Sequence, residues 1–169
     1  MEFIKTSNLY SLNKTTYVNL RWIAYIGQII AIFLVQFFLK YDFHYFICIS
    51  IVFFSVLTNL FLQFKIKDNR LNNFTSTIYL SYDILQLGVL LFFTGGVTNP
   101  FIFLILIPGV FSSQHLHFLS SIALVITITI ILIILTFYYY DLPHTGELHF
   151  HAPNYYLYTI TASVIIGLI

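Results

Sequence analysis

The sequence predicts an all-α integral membrane protein, a bundle of six transmembrane helices whose sixth span is truncated at the C-terminus. Three observations lead there. Of the 169 residues 59% are hydrophobic and only 8% are charged, with a mean hydropathy of +0.91, whereas a soluble domain carries about a quarter charged residues. Such a chain has too little polar surface to cover a water-soluble core. Apolar runs approaching the roughly 20 residues that cross a bilayer recur along it. Polar residues gather between the runs, at Lys65 to Asn73, at Thr94 to Asn99 and at Asp141 to Pro153. Six spans would use roughly 120 residues, leaving short loops, a short tail and no room for an extramembrane catalytic domain.

A net charge of +1 lacks the basic surface that nucleic-acid binding needs, so no nucleic-acid partner is expected. The single cysteine, Cys48, cannot form an intramolecular disulfide. No cleavable signal peptide is expected, because the first apolar run starts only at Leu20 and lacks a small-residue cleavage site.

Residues 1–19 read as a polar, weakly basic tail carrying Lys5 and Lys14. Span 1 runs from Leu20 to Leu39, with Arg21 and Trp22 at its entry as an interfacial anchor. Gln28 and Gln36 share a face of it and suit interhelical hydrogen bonds. Span 2 runs from His44 to Leu62 and carries Cys48 as a small buried apolar residue. Span 3 runs from Phe74 to Phe93, with Asp83 and Gln86 on one face. Asp83 lies about 18 Å from the outer end at 1.5 Å per residue. An ionisable group at that depth is a functional candidate by default, and a hydrogen-bonded carboxyl joining helices is the equal alternative. At that depth Asp83 is too far in to touch a ligand held at Gly95.

Span 4 runs from Pro100 to Ser113, and Pro108-Gly109 should kink it. His115 and His117 are two apart and would point away from each other on a helix, so they make poor joint haem ligands. Span 5 runs from Phe118 to Tyr139. The loop after it holds Asp141, His144, Glu147, His149 and His151. These are generic metal-binding and pH-titrating types in no defined motif, and no metal site is expected. Span 6 starts near Tyr155 and is still apolar at Ile169. It reaches only about 22 Å of a hydrocarbon core about 30 Å thick, so a longer parent protein is expected.

Lys5, Lys14, Arg21, Lys65, Lys67 and Arg70 fall on the side of the N-terminus, against Lys40 on the other. The positive-inside rule then places the N-terminus in the cytoplasm and the Gly95-to-Phe101 and Asp141-to-Pro153 loops outside.

Gly95-Gly96-Val97-Thr98-Asn99-Pro100-Phe101 is the most informative stretch. Glycine suits the left-handed end of a helix, Asn99 an N-cap and Pro100 the first helical position. A tight turn explains all of this. A binding site uses the same features: unpaired N–H groups at the start of span 4, an amide donor on Asn99, glycines that admit close approach and the Phe101 ring for stacking. A small apolar molecule with carbonyl oxygens, such as a membrane quinone, matches those groups.

Thr94 to Phe101 resembles the GGxxNPF heptapeptide of the RegB/PrrB/ActS-type redox-sensing histidine kinases. Asp83-Ile84-Leu85-Gln86-Leu87 is similar to that family's third span. Leu20-Arg21-Trp22 with Gly27-Gln28 resembles its first, and the Pro143 loop sits where the family has one. The resemblance covers about residues 20 to 169. It implies a six-span sensor domain in a bacterial inner membrane, in which Gly95, Gly96, Asn99, Pro100 and Phe101 take part in sensing ubiquinone or a related quinone. It also implies a homodimer and a response regulator as partner. The phosphoacceptor His and the ATP-binding kinase core would follow span 6 and are absent from this chain. The family's redox-active cysteine lies in that cytoplasmic part, so Cys48 is not its counterpart. Two other classes stand beside this one. A small quinone- or haem-binding electron-transfer subunit needs facing His ligands within spans, and a transporter fragment needs several intramembrane charges.

Overall fold

The computed structural model describes residues 11–38, 43–140 and 154–167. Lys5, Lys40 and the predicted loop with Asp141, His144, Glu147, His149 and His151 lie outside the described residues.

The described chain is a succession of helices. α1 spans Lys14–Phe33 and continues as a π-helix over Leu34–Phe38. α2 spans Tyr45–Lys65 and α3 spans Asn73–Phe92. Two 3-10 segments follow, Gly96–Thr98 and Pro100–Ile105. Then come α4 over Leu106–His115, α5 over Phe118–Phe137 and α6 over Asn154–Ile166. Four of these helices, Lys14–Phe38, Tyr45–Lys65, Asn73–Phe92 and Phe118–Phe137, are long and apolar enough to cross a membrane. Pro100–His115 and Tyr156–Ile166 are shorter apolar helices.

α1 starts earlier than its apolar run predicts. Asn13 caps it, its side chain accepting from the Thr16 N–H at 3.3 Å, and the first turn is polar. The residues before it are tied down: β1 (Leu12–Asn13) pairs antiparallel with β2 (Arg70–Leu71). Lys14 Nζ donates to the Ile66 carbonyl at 2.6 Å. The start of α1 is therefore clipped to the α2–α3 connection, and the paired Leu12 and Leu71 of the clip are buried.

Packing runs through α3 and α5. α1 packs on α2, α2 on α3, α3 on α5, and α5 on both α4 and α6. α5 buries Leu124, Ile128, Leu132, Leu135 and Thr136, a stripe at helical spacing. α3 meets it with Leu80, Ile84, Leu87 and Leu91. Gly88 allows close approach, since a Cβ there would stand 2.8 Å from Ile131 Cγ2. A second cluster joins Tyr25 and Ile32 of α1 to Cys48 and Val52 of α2 and Leu90 of α3. Cys48 is fully buried. The opposite faces expose large apolar side chains, among them Ile23, Phe33, Phe54, Phe61, Ile126 and Ile133, the pattern a lipid solvent permits.

Contrary to expectation, Pro108 does not kink a helix interior, because it does not lie in one. The Pro100–Ile105 segment is 3-10 and the α-helix opens at Leu106. Pro108 thus falls in the first α turn, where proline is tolerated. The 3-10 stretch also lengthens the element. At about 2.0 Å per residue for the 3-10 part and about 1.5 Å for the α part, Pro100–His115 reaches roughly 27 Å.

Candidate functional site

The Gly95-to-Phe101 turn follows from its residue types. Gly95 has φ 101° and Gly96 φ 60°, values that L side chains rarely adopt. Asn99 is the N-cap of the following segment, its Oδ1 accepting from the Phe101 N–H at 2.8 Å, with Pro100 in first position. The Asn99 amide nitrogen is turned back into the loop. It donates to the Thr94 carbonyl and to Thr94 Oγ1, both at 2.8 Å. The donor expected to face a ligand is thus engaged within the turn.

Gly96 has a tertiary role that spacing does not reveal. A Cβ at Gly96 would lie 2.6 Å from Tyr139 Cβ and 3.0 Å from the Leu135 carbonyl. The close approach that glycine permits is taken by the end of α5. Gly95, Gly96 and Val97 are buried, whereas Pro100 and Phe101 are exposed, Phe101 at 45%. The 3-10 turn Gly96–Thr98 packs against α5 and α6 together. α6 is further joined to α5 by a buried hydrogen bond of 2.6 Å between the hydroxyls of Thr136 and Thr161.

A second polar constellation lies deeper in the helices. Arg21 is 3% exposed, and its Nη2 pairs with Asp83 Oδ1 at 2.9 Å. The same nitrogen donates to Thr58 Oγ1 at 2.8 Å. The Tyr17 hydroxyl donates to the other Asp83 oxygen. The rings of Tyr17, Tyr25, Tyr79 and Tyr82 surround the guanidinium at 5.5, 5.6, 5.6 and 5.9 Å, within cation–π range. One guanidinium therefore ties α1, α2 and α3 together. This corrects one expectation: Arg21 is not an interfacial anchor but the buried partner of Asp83. A lone Arg with Tyr17 and Tyr25 four residues to either side, and a lone Asp with Tyr79 four residues before it and Tyr82 adjacent, was the available signal.

Gln86 lies on the Asp83 face, as predicted, and its Nε2 donates to Gln28 Oε1 at 3.1 Å, an α1–α3 bond. The carbonyl oxygen of Gln36 is buried and makes no hydrogen bond among the described residues. His115 stacks on Phe111 at 4.5 Å, its Nδ1 lying 3.0 Å from the Phe111 carbonyl, and His117 stands at the start of α5. Among the described residues no three His, Cys, Asp or Glu side chains are grouped to hold a metal.

Comparison with known proteins returns no matching family model and no matching solved structure. One curated protein that is similar is the sensor histidine kinase RegB of Cereibacter sphaeroides, 37% identical over 130 residues. The alignment covers 76% of this chain and 28% of that protein, so the chain spans a little over a quarter of its relative's length.

Proposed function

Because the chain carries a RegB-type sensor domain, we propose that it is the quinone-sensing membrane part of a two-component histidine kinase. In this proposal six spans cross a bacterial inner membrane with the N-terminus in the cytoplasm. α6 leads to a kinase core, where ATP phosphorylates a His and then a response regulator. The assembly is a homodimer. Ubiquinone or a related quinone binds at the outer turn, against Pro100 and the Phe101 ring, on a backbone shaped by Gly95, Gly96 and Asn99.

The observation that carries the proposal is the packing of the Gly96–Thr98 turn on α5 and α6 at once. A ligand that shifts this turn acts directly on the helix that feeds the kinase. Signalling requires that oxidised and reduced quinone bind two arrangements of the turn with different affinity.

Equilibrium binding of a short-chain benzoquinone to the purified chain in nanodiscs tests this. Asn99→Ala removes the N-cap and both bonds to Thr94, and the cap alone is worth about 1 kcal/mol. Phe101→Ala removes an exposed ring. Both variants should insert and fold, and each should bind about tenfold more weakly, the equivalent of about 1.4 kcal/mol. Phe53→Ala, on an exposed face of α2, should bind as the parent does. Parental affinity in both folded loop variants would leave the stretch as a turn without a ligand.

A further inference from the structure

At the same end of the helices as the turn, four rings from three elements meet. His44 precedes α2, Phe92 and Phe93 end α3, and Tyr140 follows α5. Tyr140 is the hub. Its ring lies 5.2 Å from His44, 5.6 Å from Phe92 and 5.6 Å from Phe93, stacked on the last at 19°. His44 and Phe93 are 6.2 Å apart. The Tyr140 N–H donates to the Phe92 carbonyl at 2.8 Å and fixes the hub to the end of α3. The cluster adjoins the turn through the chain itself: Thr94 follows Phe93, and Tyr139 beside Tyr140 is the residue seated against Gly96.

Two properties distinguish this cluster from packing. It is open, with His44 exposed and Tyr140 50% exposed. The His44 imidazole forms no cap bond and no side-chain hydrogen bond to a described residue, although either neutral tautomer carries one donor and one acceptor. Exposed aromatic faces beside the His44 imidazole and the Tyr140 hydroxyl suit a flat, lipid-soluble ring bearing carbonyl oxygens.

We propose that His44, Phe93 and Tyr140 seat the head group of the sensed quinone, with the His44 imidazole N–H donating to one quinone carbonyl. This rests on the quinone proposal above and adds residues to it. The same imidazole serves both redox forms. It donates to the carbonyl of the oxidised ring and, in the other tautomer, accepts from the hydroxyl of the reduced one. The bond therefore changes direction with redox state, next to the turn that touches α6.

The test uses the full chain in nanodiscs and a short-chain oxidised benzoquinone. His44→Phe keeps a ring and removes the donor, and should weaken binding about tenfold. His44→Gln restores a donor and an acceptor and should stay within about threefold of the parent. Tyr140→Phe should bind as the parent does, whereas Tyr140→Ala should lose about tenfold. Should a variant fail to fold, an azido-substituted benzoquinone crosslinked to the parent should label a peptide containing His44 or Tyr140. A parent that binds while His44→Phe and Tyr140→Ala bind equally well, or crosslinks confined to other peptides, overturns the seat and leaves the quinone proposal standing. A parent that binds no benzoquinone overturns both.

Discussion

At the scale of single residues, the Arg21–Asp83 pair carries the largest energetic stake. Arg21 is buried among tyrosines and Asp83 is mostly covered, its side chain 17% exposed, so removing one partner strands the other. Breaking a buried pair costs about 3–5 kcal/mol, whereas replacing both members with apolar groups is often neutral. Arg21→Met should therefore destabilise the chain by about that amount in denaturant unfolding in detergent. The double variant Arg21→Met/Asp83→Leu should recover most of the loss, and a double variant as unstable as the single would show that the tyrosine cage needs the charges. The sequence pointed to Asp83 as costly but misread Arg21, for a definable reason. Arg21 sits at the second position of its apolar run, which looks like an interface. The helix, however, starts at Lys14, which places Arg21 about 10 Å into it. Gln28 and Gln86 were legible because an amide on an apolar face needs a partner, and they found each other.

At the scale of elements, two glycines set how closely α3 and the turn approach α5. Gly88 meets Ile131, and Gly96 meets Tyr139 and the Leu135 carbonyl. Gly96→Ala would pay for a left-handed backbone, about 1–2 kcal/mol, and would also collide with Tyr139. Gly88→Leu would overpack the α3–α5 contact, at a typical cost of about 1–3 kcal/mol. Gly27 has nothing within 4 Å of a built Cβ, so Gly27→Ala should be neutral or stabilising by about 0.5–1 kcal/mol. Thermal unfolding of the three variants in one detergent checks the ranking. An unchanged melting temperature for Gly96→Ala would mean that the turn yields without resistance. The cap at Asn99, the proline behind it and the left-handed glycines were readable from residue types. The inward turn of the Asn99 amide and the Tyr139 contact were not, because each depends on what a distant segment places beside the loop.

At the scale of the whole molecule, the described basic residues still gather at one end. With Arg21 withdrawn into the helices, Lys14, Lys65, Lys67 and Arg70 remain there, Lys65 at the end of α2 and two of them, Lys67 and Arg70, on the α2–α3 connection clipped to the start of α1. A reporter fused after Lys67 should behave as cytoplasmic and one fused after Gly146 as periplasmic. The reverse pattern would move the Gly95 turn and the His44 cluster to the cytoplasmic face. The sequence by itself determined that this protein is a set of apolar helices and how the Gly95-to-Phe101 turn is shaped, but not where α1 begins, which is at Lys14 and not at Leu20. Those properties are local, set by apolar run length, left-handed glycine and N-cap chemistry. Only the tertiary structure decided which helix faces meet, that Arg21 and Asp83 form one buried pair, that Tyr139 fills the space above Gly96, and that His44 joins Phe93 and Tyr140. In a chain whose helices are apolar on nearly every side, hydrophobic periodicity is too weak to select a packing face. The choice falls to small-residue contacts and a few polar side chains that must find partners where water is scarce.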